Sequence, residues 1–258
     1  MSWKADGVYT APPSDPIACF IHINKNAGTS LRSLIASNYC EREVYAAIIQ
    51  GRASVGAGTK TIGGPDEDVH EVVSDIQAQE GHIACVAANL PYGLHEYLLH
   101  RVVYFAFLRE PINRCESYWH HAYRLRAEGG LWSTLENYGL NLDAALSAGA
   151  AYQFSNDQVR MISGSSAAYI GLDQYELARY NVQQHFAFVG AVERFNACVG
   201  ELARRLQWKD ATARHLNAAT ASERGPLPTR TARIFRDANE WDARLHQWLI
   251  RDYLPRNL

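Results

Sequence analysis

The chain has 258 residues, of which 47% are hydrophobic and 20% charged, and its formal net charge is -2. These values are ordinary for a globular domain and exclude the overall basic charge of a typical nucleic-acid-binding protein. No stretch approaches the ~20 consecutive apolar residues that a membrane helix needs, and the N-terminus lacks the apolar segment of a signal peptide. The five cysteines are scattered and form no C-x-x-C pair, which indicates reduced thiols in a cytoplasmic protein.

The predicted elements alternate between strands and helices along the chain. Residues 1–16 are polar and rich in proline, and we interpret them as a flexible arm before one domain formed by 17–258. Residues 51–68 are rich in glycine and predict a flexible loop. The alternation indicates an α/β fold, in which helices flank a central parallel sheet. The predicted strands are 17–23, 82–88, 101–108 and 186–191, and the predicted helices are 28–39, 112–126, 141–149, 155–163, 173–184, 192–207 and 231–252.

The first predicted strand runs into a phosphate-binding arrangement. Residues 20–31 read FIHINKNAGTSL, which predicts a strand, a tight loop and the start of a helix. The N–H groups at a helix start are unpaired and the helix dipole makes that end positive, so anions bind there. We expect Gly28 to let the backbone approach an anion and Lys25 to add a mobile charge. The predicted phosphate-binding residues of this loop are Lys25, Asn26, Ala27, Gly28, Thr29 and Ser30.

This loop differs from the Walker A loop of ATPases, which places a glycine directly before the lysine. Here Lys25 precedes Gly28 by three residues, and no obvious acidic partner for magnesium follows a later predicted strand. The loop therefore favours a nucleotide whose reactive group is not a γ-phosphate. A solvated lysine and a helix-capping Thr29 would produce the same short pattern, so the interpretation depends on a second stretch.

The second stretch is FAFLREPINRCESYWHH, residues 105–121. Arg109 follows a predicted central strand, at the edge where open α/β sheets bind ligands. Ser117 lies eight residues later on the next predicted helix, and an arginine fork with a serine hydroxyl suits one phosphate. Arg114 is either a third phosphate contact or the partner of Glu110 or Glu116.

Together, HINKNAGTSL and LREPINRCESYW resemble the 5′-phosphosulfate loop and the 3′-phosphate motif of PAPS-dependent sulfotransferases. PYGLHEYL (91–98), SNDQVRMISG (155–164), FAFVGAVERF (186–195) and LNAATA (216–221) have counterparts, in the same order, in the carbohydrate branch of that family. The likeness is to heparan sulfate 2-O- and 6-O-sulfotransferases and their bacterial relatives. It implies the P-loop-like sulfotransferase fold, PAPS as donor and 3′,5′-ADP as product.

The resemblance also implies roles for individual residues. Lys25 would stabilise the leaving phosphate, and Arg109 with Ser117 would bind the 3′-phosphate. Asn26 replaces a threonine of the family loop but still offers a backbone and a side-chain donor. Asn89 stands where relatives often carry a histidine, so His95 becomes the predicted general base. The next candidates for the base are Glu96, His100 and His120.

Two other functions stay open. One is a P-loop kinase for a small molecule, which would require ATP and magnesium, and the other is a non-catalytic nucleotide-binding relative. For the sulfotransferase we expect a small-molecule, glycolipid or glycan acceptor, no nucleic acid and no metal. Four aromatic residues either stack on a sugar or pack in the core: Trp119, Tyr123, Trp132 and Tyr138.

Overall fold

The structure is a computed structural model that describes residues 16–49, 60–62, 69–79, 82–212 and 227–258. Nearly all of the predicted N-terminal arm and the LNAATA segment (216–221) lie outside these residues. Six strands form one sheet in the order β3-β2-β4-β1-β5-β6, and all of their pairings are parallel. They are β1 (Ile17–Ile21), β2 (Val44–Ile49), β3 (Lys60–Ile62), β4 (Cys85–Ala88), β5 (Val102–Leu108) and β6 (Phe186–Ala191).

Helices flank this sheet, as the sequence predicts for an α/β domain. The helix predicted over 231–252 is divided at Asn239, whose side-chain amide donates to the carbonyl oxygens of Phe235 and Phe154, at 2.8 and 2.6 Å. The α-helices are α1 (Gly28–Asn38), α2 (Val69–Ala78), α3 (Pro111–Arg124), α4 (Leu131–Asn137), α5 (Leu142–Ser147), α6 (Asp157–Ser163), α7 (Leu172–Gln184), α8 (Phe195–Arg205), α9 (Thr229–Ala238), α10 (Glu240–Trp248) and α11 (Leu254–Asn257). In the described part of the chain, no helix combines the length and hydropathy needed to cross a bilayer.

The α/β class and the parallel sheet are confirmed, but two strands were not predicted. The prediction of a flexible loop over 51–68 is wrong at Lys60–Ile62, which forms a strand paired with Ala47–Ile49 of β2. The rest of that stretch lies outside the described residues. A strand of three residues is too short to display a period-2 pattern, so the sequence alone could not identify it.

Two apolar clusters hold the domain together. The larger cluster surrounds the central strands, and every residue of β1 and β4 is buried. The smaller cluster is centred on Trp132, Phe154 and Phe235, and the ring of Trp119 packs edge-on against Trp132 at a centroid distance of 5.4 Å. All five cysteines are free, and four of them are buried.

The strand order places β1 between β4 and β5, in the middle of the sheet. After β1 the chain builds the half of the sheet that contains β2, β3 and β4, and then crosses to β5 and β6 on the other side. Ligands of open α/β sheets bind outside the carboxyl ends of the strands at such a reversal. The loops that follow β1 and β5 therefore lie at the edge where a ligand site is expected.

Candidate functional site

The loop between β1 and α1 has an unusual backbone. Lys25 and Ala27 have φ angles of 70° and 62°, a left-handed conformation that residues other than glycine rarely adopt. The buried side chain of Asn26 holds this loop in place, because its Nδ2 donates to the Phe107 carbonyl and to Gln158 Oε1, both at 2.8 Å. The Asn26 amide is thus turned towards β5 and α6, and its predicted role as a side-chain phosphate donor has no support from its position.

The structure gives a steric reason for a glycine at position 28, which the sequence did not indicate. A Cβ atom at this position would lie 1.9 Å from Nε2 of His22 and 2.4 Å from its Cδ2. The imidazole of His22 is held there by a contact of 2.6 Å between its Nδ1 and Oδ1 of Asn89. Gly28 therefore makes room for a histidine ring, and its predicted close approach to an anion stays a prediction.

The start of α1 suits an anion. The N-cap residue is Ala27, which provides no side-chain hydrogen bond, and the first turn contains no acidic residue. Thr29 is exposed at the second position of the helix, so it is not the N-cap residue, whereas Ser30 is buried. Unpaired N–H groups and the positive end of the helix dipole both favour negative charge at such a position.

Arg109 lies beside this loop at the carboxyl end of β5. Its Nη1 donates to the carbonyl oxygen of Lys25 at 3.3 Å. Its backbone N–H donates to Gln158 Oε1 at 2.8 Å, and Gln158 Nε2 donates back to the Arg109 carbonyl at 2.9 Å. The structure therefore brings together Arg109 and the loop of Lys25, which the sequence separates by more than eighty residues.

Ser117 and Arg114 occupy different environments on α3. Ser117 is partly buried in the second turn, eight residues beyond Arg109. Arg114 is fully buried, and its Nη1 lies 3.2 Å from Oδ2 of Asp157 on α6. Its partner is thus neither of the glutamates considered from the sequence, and Glu110 instead caps α3 by accepting from the N–H groups of residues 112 and 113. Burial alone would lower the pKa of Arg114, but the neighbouring acidic groups raise it overall.

The charge of Lys25 acts on two histidines. Burial, followed by Lys25 and Arg124, lowers the pKa of His121 to about 4. Burial, followed by Arg32, lowers the pKa of His22 to about 3, and Lys25 adds to that effect. Both imidazoles are therefore neutral at pH 7, and an anion bound near Lys25 would raise their pKa values.

His95 lies elsewhere in the fold. Its Nδ1 is 2.9 Å from the hydroxyl oxygen of Tyr104, which also accepts from the His95 backbone N–H at 2.8 Å. His95 lines a cavity of about 560 Å³ together with residues at the beginnings of β5 and β6, including Val102 and Phe186. At a rise of roughly 3.3 Å per residue, Tyr104 is about 13 Å along the strand from Leu108. The structure does not bring His95 to Lys25 and Arg109.

Gln158 and Asp242 are the structural members of this site that the sequence reasoning missed. Gln158 is fully buried and contacts both Asn26 and Arg109, while Asp242 on α10 accepts from the backbone N–H groups of Gln158 and Val159, at 3.1 and 2.8 Å. The one available signal was the family counterpart of SNDQVRMISG, which contains Gln158 but gave it no role.

Comparison with protein-family models found no match for this chain. Comparison with the curated proteins found none either.

Proposed function

We propose that the protein is a PAPS-dependent sulfotransferase, which moves a sulfuryl group to a hydroxyl or amine of a small-molecule, glycolipid or carbohydrate acceptor. One observation carries the proposal: Arg109 and the loop of Lys25 adjoin at the carboxyl edge of the sheet, with Nη1 of Arg109 3.3 Å from the Lys25 carbonyl oxygen. Each of these two segments brings a cation. A nucleotide with phosphates on both its 5′ and 3′ positions offers two anions to match them.

The residues present fit such a nucleotide. The start of α1 would receive the 5′-phosphate, because its first turn carries no carboxylate and Lys25 lies beside it. Arg109 and Ser117 would bind the 3′-phosphate, the first through a bidentate fork and the second through its hydroxyl. PAPS supplies the sulfuryl group, and Lys25 would stabilise the charge that develops on the departing phosphate oxygen.

The position of the histidines changes the assignment of the general base. His95 packs on Tyr104 near the beginning of β5, whereas the charge of Lys25 reaches His121. His121 lies four residues after Ser117, so both residues belong to the same face of α3. We therefore assign the base to His121, and His95 becomes its control. The imidazole of His121 is neutral at pH 7, and a phosphate bound at Lys25 would offset the lysine charge and raise the pKa of His121 from about 4 towards the range in which a histidine acts as a general base.

Titration calorimetry with 3′,5′-ADP, and with ATP and magnesium for comparison, tests the nucleotide assignment. Arg109→Ala should weaken 3′,5′-ADP by about 2–3 kcal/mol, roughly 30- to 150-fold, because a charge-assisted fork is lost. Arg101→Ala is the matched control, since Arg101 is an exposed arginine just before the opposite end of β5. Unchanged affinity in Arg109→Ala would rule out the assigned 3′-phosphate site.

Turnover of PAPS with a panel of hydroxyl and amine acceptors tests the chemistry. His121→Asn should lower kcat by roughly 10²–10⁴, because an amide cannot accept the proton, and His95→Asn should leave kcat nearly unchanged. Lys25→Ala should reduce kcat by a larger factor than it reduces the affinity for 3′,5′-ADP. EDTA should have no effect. The opposite ranking of the two histidine variants would return the base to His95.

The two other functions predict different results in the same assays. A kinase would bind ATP with magnesium more tightly than 3′,5′-ADP. A non-catalytic relative would bind 3′,5′-ADP but would transfer no sulfuryl group to any acceptor of the panel.

A further inference from the structure

Gln158 is the buried residue that joins the two anion-binding segments. It is the second residue of α6, and its side chain is completely buried. Its Oε1 accepts from Nδ2 of Asn26 and from the backbone N–H of Arg109, both at 2.8 Å. Its Nε2 donates to the Arg109 carbonyl oxygen at 2.9 Å. One amide group therefore satisfies partners on both segments at once.

The backbone of Gln158 is itself fixed by neighbouring helices. Its N–H donates to Oδ2 of Asp242 at 3.1 Å, and the N–H of Val159 donates to Oδ1 of the same carboxylate at 2.8 Å. The preceding residue, Asp157, pairs with buried Arg114 at 3.2 Å. The start of α6 is thus tied to α3 and α10, and Gln158 has little freedom to follow a displaced loop.

We infer that Gln158 is a positioning residue that couples the loop of Lys25 to Arg109, so that the two segments are ordered together. The loop needs such support, because Lys25 and Ala27 on either side of Asn26 both have left-handed backbones. A ligand that spans both segments gains from their fixed separation, whereas a ligand that contacts only one gains little. The identity of that ligand rests on the proposed function, but the coupling rests on the hydrogen bonds of Gln158.

Titration calorimetry of the full chain with 3′,5′-ADP, 5′-AMP and 3′-AMP measures the coupling. Gln158→Met keeps the size of the side chain and removes its three hydrogen bonds. This variant should lower the affinity for 3′,5′-ADP by about tenfold or more and the affinity for each monophosphate by less than about threefold. The reason is that only the bisphosphate contacts both segments and needs them in register.

The matched control is Asn181→Leu, which also removes a buried amide that contacts α6. Asn181 donates to the carbonyl oxygen of Ile162 at 3.0 Å, near the end of α6 that lies away from Gln158. This variant should lose stability but keep the wild-type ratio between bisphosphate and monophosphate affinities. Equal losses of 3′,5′-ADP affinity in the two variants would show that Gln158 acts only through stability, and would overturn the inference.

Hydrogen–deuterium exchange of the ligand-free protein tests the coupling independently of the nucleotide. Gln158→Met should speed exchange in residues 24–30 and at Arg109 together, and Asn181→Leu should not. If wild-type protein does not bind 3′,5′-ADP, the proposed function fails while this readout still decides the role of Gln158. Faster exchange in only one of the two segments would refute the coupling.

Gln158→Glu serves if the methionine variant does not fold. Its carboxylate keeps an oxygen that can accept from Asn26 and Arg109 but cannot donate to the Arg109 carbonyl. The second carboxylate oxygen would face the Arg109 carbonyl oxygen and repel it, so the backbone should shift and exchange in residues 24–30 and at Arg109 should be faster than in the wild type. Wild-type exchange in this variant would contradict the inferred role of the donated hydrogen bond.

Discussion

Replacement of Gly28 by alanine tests the packing beneath the loop. The added Cβ would lie 1.9 Å from Nε2 of His22, and ordinary contact begins at 3.4 Å, so the ring must move by about 1.5 Å. That movement breaks the contact of 2.6 Å between Nδ1 of His22 and Oδ1 of Asn89. The imidazole cannot shift freely, because it also packs against Phe20 at a centroid distance of 5.6 Å.

The size of the effect follows from three contributions. Overpacking costs about 1–3 kcal/mol, and the lost hydrogen bond costs about 1 kcal/mol. The change from glycine to alanine in a helix returns up to about 1 kcal/mol. Gly28→Ala should therefore lower the free energy of unfolding by about 2 kcal/mol. In a His22→Ala background the obstacle is gone, and the same change should stabilise the protein by about 0.5–1 kcal/mol.

Urea denaturation followed by tryptophan fluorescence measures all four proteins of this double-mutant cycle. The expected interaction energy between positions 22 and 28 is about 2–3 kcal/mol. Its sign should show that His22→Ala removes the destabilisation caused by Gly28→Ala. If Gly28→Ala destabilises the His22→Ala background as much as the wild type, the imidazole is not what requires the glycine.

Three further predictions concern stability. Arg114→Met should lower the free energy of unfolding in urea by about 3–5 kcal/mol, because buried Asp157 and Asp242 lose their cation. The control Arg230→Met, at an exposed ion pair, should lower it by less than about 1 kcal/mol. An equally small loss in Arg114→Met would contradict the buried pair. Tyr104→Phe should cost about 1–2 kcal/mol through its two contacts with His95 and leave 3′,5′-ADP affinity unchanged; weaker binding would show that this region is connected to the site. The folded-state pKa of His22 is lowered from 6.5 to about 3. The contribution of His22 to the free energy of unfolding is therefore full above pH 6.5 and is lost as the pH falls towards 3. The urea midpoint of His22→Ala should thus depend less on pH between 6.5 and 4 than that of the wild type, and equal slopes would contradict the lowered pKa.

The sequence predicted those parts of the fold whose signal is local. β5 and β6 were found because each is a continuous apolar run, and both ends of β6 agree with the prediction. The segment Val44–Ile49 is also apolar, but it follows a short helical turn and no loop signal separates the two. Its assignment as a strand depends on pairing with β3 and β4, which lie later in the chain.

The residues of the candidate site likewise divide into those with a local sequence signal and those without one. The rule that ligands bind at strand ends found the loop of Lys25 and Arg109, whereas the amide of Gln158 reaches Asn26 across 132 residues and gives no pattern in the sequence. His95 was grouped with Lys25 through the family resemblance, because Asn89 stands where relatives often carry a histidine. Parallel strands require the chain to return to the opposite edge before β5 begins, and His95 lies late in that return, six residues before Arg101.

The hydrogen bonds that link α6 and α10 to the carboxyl edge of the sheet also have a consequence for biosynthesis. A nascent chain emerges from the ribosome with its N-terminus first. Residues 24–27 are therefore made long before Gln158, which supports them, and before Asp242, which holds Gln158. A chain that stalls before α10 has the loop but lacks its complete support. Retention on immobilised 3′,5′-ADP should thus separate finished molecules from truncated products during expression.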